Sequence, residues 1–257
     1  MKTENDIGYT IAGTGSQKVI MLHGWWSDHT AYDILLPILD LENFTYAFMD
    51  YRGYGKSIDI YGEHSIEEIA ADALALADHL GWKNFHAVGH SMGGMAVQKM
   101  IVKAPERIHS SVLITPVPAC GAPLDQASEE LFLNAAKDDE NRLTILNFLT
   151  SGRLSPGWYN HVLKRSHETT NCRSFHEYMQ AWTGTDFADA VQGMDAPILV
   201  LVGEYDQAIT MEGMTKTLLE YFPAATIDVI MNSGHFPMLE TPARLVYLME
   251  KYLKKHV

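Results

Sequence analysis

The 257-residue chain reads as an α/β protein with a mostly parallel sheet flanked by helices, and three observations carry that reading. Short runs of β-type residues alternate with helix-period stripes at roughly even spacing, the mark of βαβ units. Several of those runs are continuously apolar, as strands buried on both faces are. An apolar share of 47% in a chain of this length supplies the core that such a fold has to bury.

The elements follow in order. Ile7, Tyr9 and Ile11 alternate before a Gly13-Thr14-Gly15-Ser16 turn, which predicts an exposed edge strand, while Val19 to Leu22 is an unbroken run and predicts a central one. Phe44 to Met49 supplies the next strand. Ile66 to Leu80 predicts a helix, because Ile66, Ile69, Ala73, Leu76 and Leu80 share one face. Ser65 can cap it, Glu68 closes the capping box and Gly81 stands just past its end. A strand at Phe85 to Val88, a helical stripe at Met95 to Val102 and a strand at Val112 to Ile114 complete the first half.

From about Gly121 to Asp195 the alternation stops. The pattern there is helical and loop-like, with Phe132, Phe148, Trp158, Tyr159, Phe175, Tyr178, Trp182 and Phe187. An insertion at this point can cover the carboxyl ends of the strands, where ligands bind in open α/β folds. We therefore expect a cap over 121–195 and a core made of 1–120 and 196–257. Most of its aromatics would fill the cap's own interior, and a minority would line a pocket. A strand at Ile198 to Val202, a helix at Met214 to Phe222, a strand at Ile227 to Met231 and a helix at Leu245 to Leu253 follow.

Composition narrows the partners. The chain has 19 Lys+Arg and 32 Asp+Glu, and 19 − 32 = −13. No basic run is available to neutralise a nucleic-acid backbone. In the cap, 6 basic against 11 acidic residues, 6 − 11 = −5, leave no obvious anion clamp. Met1 to Asp6 lacks the layout of a signal peptide, and no apolar run approaches the roughly 20 residues that span a bilayer. Cys120 and Cys172 are a poor disulfide framework and suit a reducing compartment as buried small hydrophobes. A cytoplasmic protein acting on a small molecule is the expectation, with no nucleic acid, membrane, metal or cofactor implied. Gly13-Thr14-Gly15 lacks a third glycine and precedes its strand, so it is a turn and not a dinucleotide loop.

The strongest local signal is Gly89-His90-Ser91-Met92-Gly93-Gly94, between the strand at 85–88 and the following helical stripe. A serine in a sharp strand-to-helix turn has its hydroxyl pushed out at the sheet edge, and only small flanking residues tolerate the crowding. The first N–H groups of the next helix face the same spot and suit a developing negative charge. A serine hydroxyl needs a base to take its proton and a carboxylate to hold that base. Gly203-Glu204-Tyr205-Asp206 places acids after one strand, and Asn232-Ser233-Gly234-His235-Phe236-Pro237 places a histidine after the next.

At this point the chain resembles the α/β-hydrolase family, on its nucleophile elbow and on the order Ser91, Asp206, His235. The resemblance extends to His23-Gly24-Trp25 after the central strand, to Asp50-Tyr51-Arg52-Gly53-Tyr54-Gly55-Lys56-Ser57, and to Gly234-His235 with the trailing Glu240-Thr241-Pro242. It implies an eight-stranded type of sheet with a helical cap inserted before the penultimate strand. It further implies Ser91 as nucleophile, His235 as general base and then acid, Asp206 as the orienting carboxylate, and the backbone N–H groups of Trp25 and Met92 as an oxyanion hole. Glu204 and Asp125 are the competing acids. His23-Gly24-Trp25 with Ser91-Met92-Gly93-Gly94 is most similar to the arylesterase and cofactor-free haloperoxidase branch, which commonly has Pro where Trp26 stands.

The expected activity is cleavage of a small, largely apolar carboxylic ester, thioester or lactone through an acyl-enzyme. Candidate substrate-binding residues are Trp25, Trp26, Trp158, Trp182 and Phe236. Asp50, Arg52, Gly53 and Gly55 are expected to form an ion pair and tight turn beneath the site, and His86 and His90 to be packed or hydrogen-bonded beside the nucleophile strand. His161, His167 and His176 are expected at the cap surface, where one could face substrate. A nucleophilic serine argues against the dehalogenase and epoxide hydrolase branches. A triad-retaining small-molecule receptor, a C–C hydrolase, an acyltransferase and a perhydrolase are the rival readings.

Overall fold

A computed structural model describes residues 7–256. Seven strands form one sheet in the order β1-β3-β2-β4-β5-β6-β7. They are β1 (Tyr9–Ala12), β2 (Gln17–Leu22), β3 (Phe44–Met49), β4 (Phe85–His90), β5 (Ile108–Ile114), β6 (Ile198–Gly203) and β7 (Thr226–Ile230). All neighbours pair in parallel except β1, which runs antiparallel to β3 at the edge. The sheet therefore has seven strands among the described residues, where the resemblance implied eight. Among the described residues a single strand, β1, stands before the Gly13–Ser16 turn and forms the antiparallel edge.

The apolar runs at 44–49, 85–90 and 198–203 are buried at every position, which requires cover on both faces. One layer comes from α1 (Ile66–His79) packed on α2 (Met92–Lys103). Ser65 caps α1 by accepting the Glu68 N–H at 3.1 Å, and Ile66, Ile69, Ala70, Ala73, Leu76 and Ala77 face the core. Another layer comes from α11 (Pro242–Leu253) and a 3₁₀ segment at His29–Ile38. Pro242 opens α11 where a missing N–H costs nothing.

Between β5 and β6 stand α3 (Gln126–Asn134), α4 (Asp139–Leu149), α5 (Pro156–Thr169), α6 (Cys172–Gly184) and α7 (Ala188–Val191), with no strand among them. The helix expected at Met214 to Phe222 is instead two pieces, α8 (Met211–Lys216) and α9 (Leu218–Tyr221), and α10 (Pro237–Glu240) precedes α11. Thr215 and Thr217 turn their hydroxyls onto the carbonyls of Met211 and Gly213, at 2.8 and 2.9 Å, and Thr217, at φ −119° and ψ −72°, separates the two pieces. Such back-bonding by β-branched residues competes with the helix ladder.

Two smaller expectations are corrected. Cys120 is half-buried and Cys172 exposed, rather than buried hydrophobes, because Cys172 opens α6 at the surface. Asp50 and Arg52 do not pair with each other: Arg52 reaches Asp72 at 2.8 and 2.9 Å, and Asp50 binds His29 and the Lys56 N–H. No helix of the described residues is long and apolar enough to cross a membrane.

Candidate active site

The ends of four parallel strands converge. Ser91 links β4 directly to α2, with φ 53° and ψ −117°, a region that side-chain-bearing residues rarely occupy and that costs about 1–3 kcal/mol. The turn closes because its flanks have no side chain. A Cβ on Gly89 would run into the Gly93 carbonyl, and one on Gly93 would lie 2.6 Å from the carbonyls of both Leu22 and His23. The first turn of α2 thus rests on the end of β2.

β6 delivers Asp206, whose Oδ1 accepts the N–H groups of Ala208 and Ile209 at 2.9 and 3.0 Å. β7 delivers the loop with His235. Its Nδ1 donates to Asp206 Oδ2 at 2.7 Å, and its Nε2 accepts from Ser91 Oγ at 3.0 Å. That tautomer follows from the carboxylate on Nδ1. All three side chains are nearly buried, Ser91 the most accessible at 9%. The other acids are elsewhere: Glu204 accepts the Asn232 N–H at 2.8 Å, and Asp125 caps α3 by accepting from Ser128.

The histidine loop is pinned on several sides. Glu240 accepts the N–H groups of Gly234 and Phe236 at 2.7 and 3.0 Å and pairs with Arg153 at 2.9 Å. The His235 N–H donates to Leu149 O at 3.1 Å, and its carbonyl accepts from His90 Nε2 at 2.8 Å and Thr115 Oγ1 at 3.1 Å. Burial, and then the nearby His235, holds His90 well below the ordinary histidine value. His90 is consequently a neutral donor to that carbonyl. It occupies the hydrogen-bonded place expected of it, as does His86, bonded to Ser110 Oγ at 2.9 Å.

The loop after β2 closes over Ser91 from the other side. Gly24 lies so close that a Cβ there would be 2.6 Å from His90 Nδ1 and 3.3 Å from Ser91 Cβ. Burial lowers the His23 pKa in spite of Asp50, so its ring is neutral; Nδ1 donates to Gly24 O at 2.8 Å and Nε2 accepts the Tyr51 N–H at 3.4 Å. The Gly24 carbonyl shares its peptide plane with the Trp25 N–H. Holding one fixes the other. Tyr54 Oη donates to the Trp25 carbonyl at 2.9 Å. Neither the Trp25 nor the Met92 N–H donates to another group among the described residues. Two amides beside a serine hydroxyl can stabilise charge that develops on a carbonyl oxygen there.

Ser91 and His235 open into a cavity of about 290 Å³ whose wall is mostly apolar. Of the aromatic candidates, Trp25, Trp26 and Trp182 line it. Phe236 lines a neighbouring cavity of about 60 Å³, shared with Trp26, His90 and His161. Trp158 lines neither and stands edge-on to Phe236 at 5.6 Å. His167 pairs with Asp139 at the surface at 2.6 Å, and His176 lines neither cavity.

Sequence reasoning did not single out Val117, Phe132, Leu149 and Ile209 as wall residues, nor Ser128, a hydroxyl in the wall on α3. Phe132 had a signal in the aromatic density of its segment. The aliphatic residues had none: Val117 and Ile209 stand in the loops after β5 and β6 and Leu149 ends α4, and only the packing of those segments together brings them to one wall.

Known proteins resemble this chain along most of its length. The family described as "Alpha/beta hydrolase family" matches residues 19–246. The chain is 28% identical over 244 residues to a non-heme haloperoxidase of Rhodococcus erythropolis, with 86% of each chain covered. It is 27% identical over 228 residues to a bifunctional esterase/perhydrolase of Acinetobacter calcoaceticus, covering 80% of this chain and 81% of the other. Its fold superposes on a hydrolase from Oleispira antarctica with a TM-score of 0.86 at 19% identity, covering 97% of this chain and 95% of that one.

Proposed function

The chain belongs to the alpha/beta hydrolase family, and from that premise we propose that it is a serine hydrolase of small, largely apolar carboxylic esters, thioesters or lactones. The observation that carries the proposal is the line Ser91 Oγ, His235, Asp206, with contacts of 3.0 and 2.7 Å, at the floor of an apolar cavity. Ser91 Oγ attacks the substrate carbonyl while His235 Nε2 takes the hydroxyl proton. Asp206 keeps Nδ1–H in place and stabilises the imidazolium. The N–H groups of Trp25 and Met92 receive the oxyanion of the tetrahedral intermediate, whose electron pair then re-forms the carbonyl as the bond to the leaving group breaks. His235 then protonates the departing alkoxide, thiolate or ring oxygen, leaving Ser91 acylated. Water repeats the sequence with the same base, and Ser91 is restored.

The cavity sets the substrate class. About 290 Å³ lies at the low end of ligand sites and suits a short acyl group. Its wall contains no Lys or Arg, which disfavours acyl groups with carboxylates of their own. We read the helices over 121–195 as the cap that supplies much of this wall, on the core of 1–120 and 196–257.

The test is a panel of p-nitrophenyl acetate, butyrate and octanoate with a γ-lactone, assayed beside Ser91→Ala. Steady turnover is expected, best with the short esters and reduced by about 1,000-fold or more in Ser91→Ala. Stoichiometric labelling of Ser91 with no turnover would instead favour the receptor reading. Equal activity in Ser91→Ala would remove the serine mechanism.

A further inference from the structure

Arg142 on α4 is 1% exposed and makes no ion pair with a carboxylate among the described residues. Its Nε donates to Ala135 O at 2.6 Å, Nη2 to Ala136 O at 3.4 Å and Nη1 to Ser166 Oγ at 2.6 Å. The Ala135 carbonyl belongs to the residue that caps the C-terminal end of α3, where a cation is favoured, and Ala136 follows it. Burial without an acid is nonetheless a costly way to fill space, and an apolar side chain of similar volume avoids the desolvation. What a guanidinium offers is a flat charged face. That face lies 4.2 Å from the centre of the Phe175 ring.

The opposite side of the stack leads to the active site. Phe175 and Trp25 stack at 4.0 Å with 22° between planes, and the Trp25 indole N–H donates to the Phe175 carbonyl at 2.6 Å. Phe132 lies parallel to Trp25 at 5.8 Å and 19°. Trp25 is thereby held by its ring and its indole nitrogen from α6 and α3, and by its carbonyl from Tyr54. Its own N–H belongs to the peptide beside Ser91 and its ring walls the cavity.

We propose that Arg142 is a positioning residue for the hydrolytic reaction, fixing the Trp25 amide for the oxyanion through the Arg142–Phe175–Trp25 stack. This rests on the serine-hydrolase reading, in which the Trp25 N–H receives the oxyanion. The stack makes the helices between β5 and β6 part of the oxyanion machinery as well as the pocket wall. A cation–π contact of this desolvated kind is strong enough to select one ring orientation.

The test uses the intact chain with p-nitrophenyl acetate. Arg142→Lys keeps a charge and loses the flat face, and Phe175→Leu removes the ring between Arg142 and Trp25. Each is expected to lower kcat about tenfold, since a small displacement of one oxyanion donor suffices for that. KM should stay within about twofold, because the affected interaction is made in the transition state. The double variant should fall no further than the worse single one. Near-ultraviolet circular dichroism assigned to Trp25, by difference from Trp25→Phe, should weaken in both.

A kcat within about twofold of wild type in either variant overturns the proposal, as do losses that multiply in the double variant. So does a fall in melting temperature alone. If Arg142→Lys does not fold, Phe175→Leu decides by the same criterion. If the wild-type chain hydrolyses no ester, the hydrolase reading is what fails, and the dichroism alone then decides whether Arg142 orders Trp25.

Discussion

Ser91 holds its hydroxyl on a backbone at φ 53°, and the strain of that position is separable from the chemistry. Alanine removes the hydroxyl and keeps the Cβ, whereas glycine removes both and occupies the same backbone freely. Ser91→Gly should therefore melt about 2–4 °C above Ser91→Ala, the shift that about 1 kcal/mol produces in a chain of this size. Scanning calorimetry of the two variants checks it, and an equal or lower Tm for the glycine variant contradicts the strain. At this scale the sequence is highly informative. Ser91, Asp206 and His235 each follow a recognisable strand, and flanking glycines mark where backbones must touch. Arg142 left no such trace, because a basic residue on a helix looks solvated until the helices around it are packed.

Elements meet at the site backbone to backbone. A Cβ on Gly203 at the end of β6 would strike the Gly234 carbonyl, while one on Gly184 at the exposed end of α6 would meet nothing within 4 Å. Gly203→Ala should push the His235 loop from Asp206, lowering kcat at least about tenfold together with Tm. Gly184→Ala should leave kcat unchanged and raise stability by about 0.5–1 kcal/mol through the unfolded chain. Parallel activity and denaturation measurements on the two variants test both statements. The elements themselves were legible where one period ran unbroken, as in α1 and β6. They were less so in the stretch at 211–221, where threonine hydroxyls bonding back to carbonyls split a stripe that periodicity alone joins. The additional edge strand implied by resemblance is likewise a matter of family habit that periodicity does not encode.

Across the whole molecule, buried histidines set the response to acid. Burial, and then His109 and His256, lower the His86 pKa to about 4, and His90 is also held well below the ordinary value. An unfolded histidine titrates at about 6.5. As pH falls through that value the unfolded chain binds protons that the native chain refuses. Stability from His86 is therefore full above about 6.5, declines as pH drops from there, and levels off below about 4. The unfolding free energy, measured in urea from pH 7 to pH 4, should decline less steeply in His86→Gln than in wild type. An unchanged slope would show that His86 does not contribute. The arrangement of the sheet was readable in the sequence at this scale because β–α alternation is a chain-long signal. The shape of the cavity was not, since Phe132 and Leu149 reach its wall only once α3 and α4 have packed.

The junction of α6 with the loop before α1 holds one more arrangement of the same three groups. His64 Nδ1 faces the Glu177 carboxylate and its Nε2 lies 3.1 Å from Ser174 Oγ, yet Ser174 is 1% exposed and its hydroxyl abuts the backbone of Gly53. Alcohol, imidazole and acid thus stand in line here as they do at Ser91. Only one opens on a cavity that an electrophile can enter; the other works as a mechanical rivet between helix and loop, and its chemistry stays silent for want of an approach route.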